Sequence, residues 1–564
     1  MGGRRDVHPP PSYAAPPTPA KKIPISANLS SPPGSPVRAG TPLEPGPAIG
    51  YEWTAVVCEA TPAGRRLGRN ESEPPQGFAT LFFSNQGRQA RVGGKAAGSG
   101  ARAGGVSVTF DRGRWAEGLR GIGSELRPTL GLAGPVIAAE LGWVGMGVVD
   151  TMIVGRLGAE AVGAVGLGSV VFFTVAVFGL GLMLGLDTLV SQAFGAGNID
   201  DCHHSLFQGV YLAAALSPLL MAVVIVGAPW LAWVGVNPEV LRESIPYLRA
   251  TAWGTFPLLI YAAFRRYLQA TGRVRPVMLA LLSANAINAA GNWLLVFGNL
   301  GAPRMGVEGA GWATTASRLY LALVLVGYTV WHDRKYPAGL LNTAWRPDPA
   351  RLRRLLGLGL PAALHVTLEV GVFAAATALA ARLDTASLAA HQVVLNMSSV
   401  TFMIPFGLAS AGAVRVGQAL GRREPAAAAR AGWTTLALAV GFMATAAVVF
   451  ALAPRAILRS FTDDPRVLAV GVGLMYVAAG FQLFDGIQGV TTGNLRGAGD
   501  TKTPMAAGLL AHWVLGLPVG YVLAFPAGLG AVGLWLGLSL GLVAASAVVL
   551  RAWVRTARSM GVRE

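Results

Sequence analysis

The sequence predicts an all-α integral membrane protein: twelve transmembrane helices in two six-helix bundles, related by an internal pseudo-two-fold repeat. Three observations carry that prediction. Hydrophobic residues are 53% of the chain and charged ones 13%, about half the charged share of an ordinary globular domain, so most of the length belongs in lipid. From about residue 129 the chain divides into apolar stretches long enough to cross roughly 30 Å of hydrocarbon. It also repeats. At a shift of 226 positions Pro135 meets Pro361, Arg156 meets Arg382, Gly181 and Leu182 meet Gly407 and Leu408, and Gln192, Ala193 and Gly195 meet Gln418, Ala419 and Gly421. Between Pro135 and Gly195 there are 13 identities in 61 gapless positions, where a segment so rich in Ala, Val, Leu and Gly would give roughly 6 by chance. Leu268, Gly272 and Pro276 then answer Leu495, Gly499 and Pro504 at almost the same shift. Duplicated carriers hold their sites at the repeat interface, so a two-lobed membrane carrier is implied.

The spans follow in order. The first, 129–154, carries Glu140 and Asp150 behind Pro135, and the second, 161–190, passes through GLGLMLG to Asp187 near its end. The third is 205–229. The fourth, 245–268, closes on Arg265 and Arg266; the fifth, 276–297, presents Asn285, Asn288 and Asn292; the sixth, 309–331, holds Arg318. These make an N-terminal lobe over 127–331. The segment 332–355 (HDRKYPAGLLNTAWRPDPARLRRL) is the longest polar connection in the membrane region and reads as an inter-lobe linker. A C-terminal lobe over 356–555 contains spans at 356–381 with His365 and Glu369, 387–414, 430–453, 467–494 with Asp485, 505–525 and 528–552, leaving a short tail at 556–564. The 74 glycines, in runs such as GLGAVGLWLGLSLG, make close helix approach and bending easy, although tight packing alone would use them equally.

Lys and Arg fix the expected orientation. One set of connections and helix ends, including Arg265, Arg266, Arg415, Arg422, Arg496 and Arg555, carries 20 of them and the opposite set carries 8. The first set is therefore expected in the cytoplasm, with both termini. That bias and contact with lipid headgroups account for most of the net charge of +17, so nucleic acid is not an expected partner. Residues 1–126 are rich in Pro, Gly and Ser and lack a packable apolar period, so they are expected to be a disordered extension; a start near Arg114 to Leu126 would remove them. No apolar core follows the basic start, which argues against a secretory signal. Cys58 and Cys202 support neither a disulfide framework nor a metal site, and Cys202, His203 and His204 are expected to cap a cytoplasmic loop.

A carboxylate at mid-span costs roughly 2.5–3.5 kcal/mol, so each needs a partner, a proton or a purpose. Glu140, Asp150, Asp187, Glu369 and Asp485 stand against Arg318 as the one deep base. An acid-rich, base-poor interior suits protons, small metal cations or cationic organic molecules. Phe481, Asp485, Gln488 and Thr492 follow i, i+4, i+7 and i+11 and share a face too polar for lipid; an interhelical hydrogen-bond stripe would show the same spacing. His365 and Glu369, four apart, share a face of the seventh span. Asn285, Asn288 and Asn292 form a carboxamide ladder that could hold a cation, position Asp150 or simply join helices. Asp187 lies where capping or a gating contact is expected, and Glu140 has no assigned role.

These residues resemble the multidrug and toxic compound extrusion (MATE) family, of the multidrug/oligosaccharidyl-lipid/polysaccharide exporter superfamily, over essentially all of residues 127–555. The resemblance rests on PVIAAELGWVGMGVVDTMIVGRLG, GLDTLVSQAFGAGN, NAINAAGNW, LPAALHVTLEVGVF, LAAHQVVLN and FDGIQGVTTGNLRGAGDTKTP. It implies a V-shaped pair of six-helix bundles in the plasma membrane, the inner membrane of a bacterium, working as a monomer. Such a carrier exports cationic or amphipathic compounds in exchange for entering H+ or Na+ by alternating access, with no cofactor. By position, the family's coupling and substrate residues fall on Asp150, Asn288, Asn292, Glu369 and Asp485, supported by Pro135, His365, Phe481, Gln488 and Thr492, with transient Na+ at Glu369 and Asp485 and no resident metal. Glu369 with Asp485 places the chain nearer the NorM-like branch than the DinF-like one. Phe481 stands where some sodium-linked members have Tyr, and Asn292 where proton-linked members of the other branch have Asp. The alternative within transport is a lipid-linked precursor flippase, which needs a basic cavity that Arg318 alone supplies poorly. An enzyme is not expected, since no Ser-His-Asp set, HExxH or phosphate loop is present.

Overall fold

A computed structural model describes residues 112–234, 237–336, 338–343 and 345–561, and among them the secondary structure is helical, without a strand. The first half of the repeat comprises α1 (Arg112–Val154), α2 (Ala159–Met183), α3 (Gly185–Gly195), α4 (Ile199–Gly227), α5 (Pro238–Trp253), α6 (Thr255–Ala270), α7 (Val274–Phe297) and α8 (Val307–Lys335). The second half comprises α9 (Pro349–Ala380), α10 (Thr385–Gly421), α11 (Pro425–Leu452), the short α12 (Pro454–Arg459), α13 (Pro465–Gly497), α14 (Lys502–Gly508), a π-helical segment (Leu509–Gly516), α15 (Leu517–Ala524) and α16 (Gly530–Gly561). Among the described residues, 11 helices are long and apolar enough to cross a membrane. The remaining expected span, 245–268, is divided at Gly254 into α5 and α6, and its three arginines, Arg249, Arg265 and Arg266, lower its hydropathy.

Local sequence explains where the helices start and stop. Asn237-Pro238, Asp348-Pro349 and Asp464-Pro465 each pair a side-chain acceptor with a proline at the first helical turn, where the missing N–H costs nothing. Asp348 Oδ1 accepts from the N–H groups of Ala350 and Arg351 at 2.9 and 3.2 Å. Asp384 opens α10 by accepting from Ser387 N at 2.8 Å and Ser387 Oγ at 2.6 Å; these bonds hold its carboxyl below the usual carboxylate range. Four helix ends terminate alike. The N–H groups of Asn198, Arg273, Glu424 and Asp500 each reach back five residues, to Ala193, Leu268, Ala419 and Leu495, with a left-handed residue just before each of them: Gly197, Gly272, Arg423 and Gly499. These are two repeat-related pairs, and Arg423 occupies with φ 63° a place that its counterpart fills with glycine.

Three expected boundaries move. Helix α1 begins at Arg112, inside the segment expected to be disordered, while residues 1–111 lie outside the described residues. Helix α16 continues to Gly561 through the expected tail, because Trp553, Ala557 and Met560 recur at helical spacing and bury against Val416, Ala428 and Leu495. The linker is shorter than 332–355, since α8 runs to Lys335 and α9 starts at Pro349. It is also fastened to α4: Phe207 packs on Trp345 at 4.2 Å, Gln208 accepts from Asp348 N at 3.1 Å and donates to Arg346 O at 3.2 Å, and Arg351 pairs with Asp201. Cys202 is not in a loop. Helix α4 begins at Ile199, capped by Asn198, and the buried Cys202 thiol donates to Asn198 O or Val190 O.

Candidate functional site

Two acidic sites form, one in each half. Asp150 projects from α1 between α7 and α8. Asn292 Nδ2 donates to Asp150 Oδ1 at 2.5 Å and lies 3.2 Å from Asn288 Oδ1. Thr314 Oγ1 stands 3.2 Å from Asp150 Oδ2 and 3.0 Å from Ala310 O, and its single proton serves one at a time. All four side chains are buried, and among the described residues Asn288 Nδ2 and Asn292 Oδ1 have no hydrogen-bond partner. Arg318, one turn beyond Thr314, lies 4.1 Å over the Phe172 ring and donates to Thr251 O at 3.2 Å. Among the described residues no cation comes within ion-pairing distance of Asp150, so its oxygens meet neutral donors with one carboxamide oxygen to spare. That arrangement can take up a proton or a small cation. Asn285 does not join it. Its Nδ2 bonds to Gly142 O at 3.0 Å and Leu281 O at 2.9 Å, which makes it the helix-joining rung of the ladder.

In the second half, Gln488 of α13 donates from Nε2 to Glu369 Oε1 of α9 at 3.2 Å, and His365 Nδ1 lies 4.0 Å from Glu369 Oε2. Asp485, one turn before Gln488, is buried on the same face. Phe481 closes one side, edge-on to Phe373 at 6.2 Å and to Trp535 at 5.7 Å. Trp535 Nε1 donates to His391 Nδ1 at 3.0 Å, which leaves the ring proton on His391 Nε2, facing Thr377 Oγ1 at 2.9 Å. His391 stands in the LAAHQVVLN motif with no spacing that marks it, and Thr314 carries only an indirect signal, since Arg318 four residues on marks the same polar face. Gln488 Oε1 and Thr492 Oγ1 are buried without hydrogen-bond partners among the described residues. The two sites are not copies: the repeat sets Ala376 against Asp150 and Trp143 against Glu369.

The junction between the halves, by contrast, is built twice. Gln192 Nε2 donates to Gly497 O at 3.0 Å, and its repeat partner Gln418 donates to Ala270 O at 2.8 Å. A β-carbon on Gly195 would fall 2.1 Å from Gln418 O, and one on Gly421 would fall 2.1 Å from Gln192 O, so backbones touch there. Gly181 against Ala363 and Gly407 against Ile137 repeat the pattern. Pro135 therefore lies at this seam, between Ala133, which packs with Leu408, and Ile137, rather than beside Asp150. Every side-chain hydrogen bond between the halves among the described residues falls at this one end.

At its centre Asp187 Oδ2 meets Arg266 Nη1 of the first half at 3.5 Å and Arg496 Nε of the second at 3.2 Å, all three buried. Thr188 Oγ1 adds a bond to Arg496 O at 2.6 Å. Glu140 pairs with Arg265. Arg318 is thus not the one buried base. Arg265, Arg266 and Arg496 read as membrane-edge charges in sequence, but tertiary packing pairs the first two with Glu140 and Asp187 inside the first half and Arg496 with Asp187 across the seam. A void of about 10 Å³ lined by His365, Thr492 and Arg496 separates the Glu369 site from the seam. Among the described residues no cluster of metal-ligating side chains forms.

The MatE family profile matches residues 135–294 and again 361–522, one match in each half. A probable multidrug resistance protein NorM of Mesorhizobium japonicum is 37% identical over 441 residues, covering 77% of this chain and 94% of its own length. Its counterpart in a Synechocystis strain is 34% identical over 435 residues, with 76% and 94% covered. The structure of the eukaryotic MATE transporter AtDTX14 superposes with a TM-score of 0.70 at 21% identity, covering 78% of this chain and 99% of that one.

Proposed function

Because this chain belongs to the MATE family of multi-pass membrane transporters, we propose that it is a secondary antiporter exporting cationic or amphipathic organic compounds in exchange for H+ or Na+. The single observation that carries the reading is a pair of buried acidic sites, Asp150 and Glu369 with Asp485, lying in two halves whose side-chain hydrogen bonds to each other, among the described residues, fall at one end. In this reading the halves are two lobes, over 127–331 and 356–555. The excess of Lys and Arg at the closed end supports a cytoplasmic location for that end and for both termini, and in this reading the carrier faces outward. A proton or Na+ entering at Glu369 and Asp485, and separately at Asp150, displaces the cationic cargo and biases the carrier toward the opposite state. Occupation need differ between the two states by only a few kcal/mol to repopulate them. The buried arginines favour this over a lipid-linked precursor flippase, because Arg265, Arg266 and Arg496 are engaged by Glu140 and Asp187 and offer no free phosphate site.

The test is efflux of ethidium from proteoliposomes under an imposed pH gradient and then an imposed Na+ gradient. One of the two must drive accumulation against the ethidium gradient; failure of both overturns the antiport reading.

A further inference from the structure

The π-helical segment Leu509–Gly516 interrupts an otherwise α-helical span, between Gly508 and the Gly516-Leu517-Pro518 step. Pro518 has no N–H to return to residue 514, which favours a wider turn in front of it. The segment is docked on α9 in a fixed register. A β-carbon on Gly508 would sit 3.2 Å from the His365 ring, Trp513 Nε1 donates to Leu368 O at 3.0 Å, and Gly371 faces the Trp513 ring. Residues 508 to 513 thus run alongside residues 365 to 371, which sets His512 level with Glu369. The His512 side chain is buried at that level, one turn past Gly508, which faces the His365 ring. Its Nδ1 lies 3.2 Å from Gly508 O. A carbonyl only accepts, so Nδ1 carries the proton and Nε2 is left as the free lone pair.

We infer that His512 is a positioning residue of the second-half acidic site, and that Glu369, His365 and His512 hold and pass a proton as one unit. The inference rests on the antiport reading above and adds to it the proton as the coupling ion at this site. The groups facing His512 are few. Helix α9 supplies Glu369 and His365; behind them, on α13, Gln488 is bonded to Glu369, Asp485 lies one turn before Gln488, and Arg496 is committed to Asp187. The adjoining stretch of α16, Leu534–Ala545, contributes no titratable side chain. Hydroxyl and carboxamide groups fill a cation's shell without titrating, whereas two imidazoles beside one carboxylate offer three places for the same proton. The proton that binds as cargo leaves then has a place to rest beside Glu369.

Two substitutions separate position from proton handling. In His512→Asn the amide nitrogen overlays Nδ1 and keeps the bond to Gly508 O while Nε2 is lost; His512→Gln keeps a group near Nε2 that cannot titrate. Ethidium efflux from proteoliposomes is followed between about pH 5.5 and 8 for both, with Glu369→Gln as the reference. Both are expected to retain ethidium binding within twofold while the pH-gradient-driven rate falls at least tenfold and its pH profile flattens. An unchanged profile and rate in either variant overturns the inference. Normal efflux by Glu369→Gln instead overturns the antiport assignment of that site, so the two failures are distinct. Should neither His512 variant reach the membrane, infrared difference spectra of the wild-type chain and Glu369→Gln with ¹⁵N-labelled histidine decide the matter. Histidine ring bands must shift between the two on acidification, and identical bands overturn the inference.

Discussion

A methyl group at Gly195 should open the seam between the halves. Its β-carbon would lie 2.1 Å from Gln418 O and 2.8 Å from both Gln418 C and Cα, atoms of a helix backbone that cannot rotate away as a side chain could. Relief requires the two helices to part by about 1 Å against close-packed neighbours, an overpacking cost of about 1–3 kcal/mol. Only the closed state bears that cost, because the contact joins different halves. The closed-to-open ratio should therefore fall roughly five- to 150-fold in Gly195→Ala. The readout is the distance between spin labels placed at Asp200 and Arg422, exposed sites on opposite halves at the closed end, in a chain with Cys58 and Cys202 replaced by Ser. A second, longer distance should gain population. Gly147→Ala, where nothing lies within 4 Å, is the control and should leave the distribution unchanged. If Gly195→Ala keeps the parent distribution while the label pair still responds to ethidium, the seam is not the contact that separates the two states, and the reasoning fails.

Other predictions follow from the same geometry. Asp187→Asn strips the shared carboxylate from Arg266 and Arg496 and should depopulate the closed state by about 3–5 kcal/mol, the usual cost of breaking a buried pair; the shift should be insensitive to salt, since the group is buried, and the label pair at Asp200 and Arg422 checks both. Glu369→Gln and Asp485→Asn should each abolish drug resistance in a sensitive host at unchanged membrane abundance. Asp150→Asn should impair coupling more than binding, read by comparing ethidium affinity with gradient-driven flux. Arg423→Gly should raise thermal stability by about 1 kcal/mol by relieving a left-handed backbone that its repeat partner Gly197 adopts freely, measured as the midpoint of thermal unfolding in detergent.

Much of this was legible in the sequence because lipid enforces a simple rule on composition. Apolar length marked the spans, and carboxylates inside them marked Asp150, Glu369 and Asp485 as groups in need of a partner. What stayed hidden depends on tertiary closure. Arg265, Arg266 and Arg496 sit near span ends, where such charges ordinarily snorkel to water; Glu140 and Asp187 meet the first two by packing within the first half, and only the meeting of the halves brings Arg496 to Asp187. Asn285 is spaced like Asn288 and Asn292, yet it bonds the backbone of α1, a difference set by where Gly142 lets α7 approach. His512 carried only an indirect signal, the glycines and the proline bracketing its turn. The internal repeat bears on the seam more than on the sites. It duplicates the seam residue by residue, through Gln192 with Gln418 and Gly195 with Gly421, while leaving each half its own acidic chemistry.

Occupation of the carboxylates by a cation should move the seam, and the label pair at Asp200 and Arg422 reads that directly. In liposomes, acidification or added Na+ should redistribute the distance in the wild-type chain, and a doubly substituted Glu369→Gln, Asp485→Asn chain should not respond. A distribution that ignores both ions in the wild type, or a double variant that responds as the wild type does, would contradict the account.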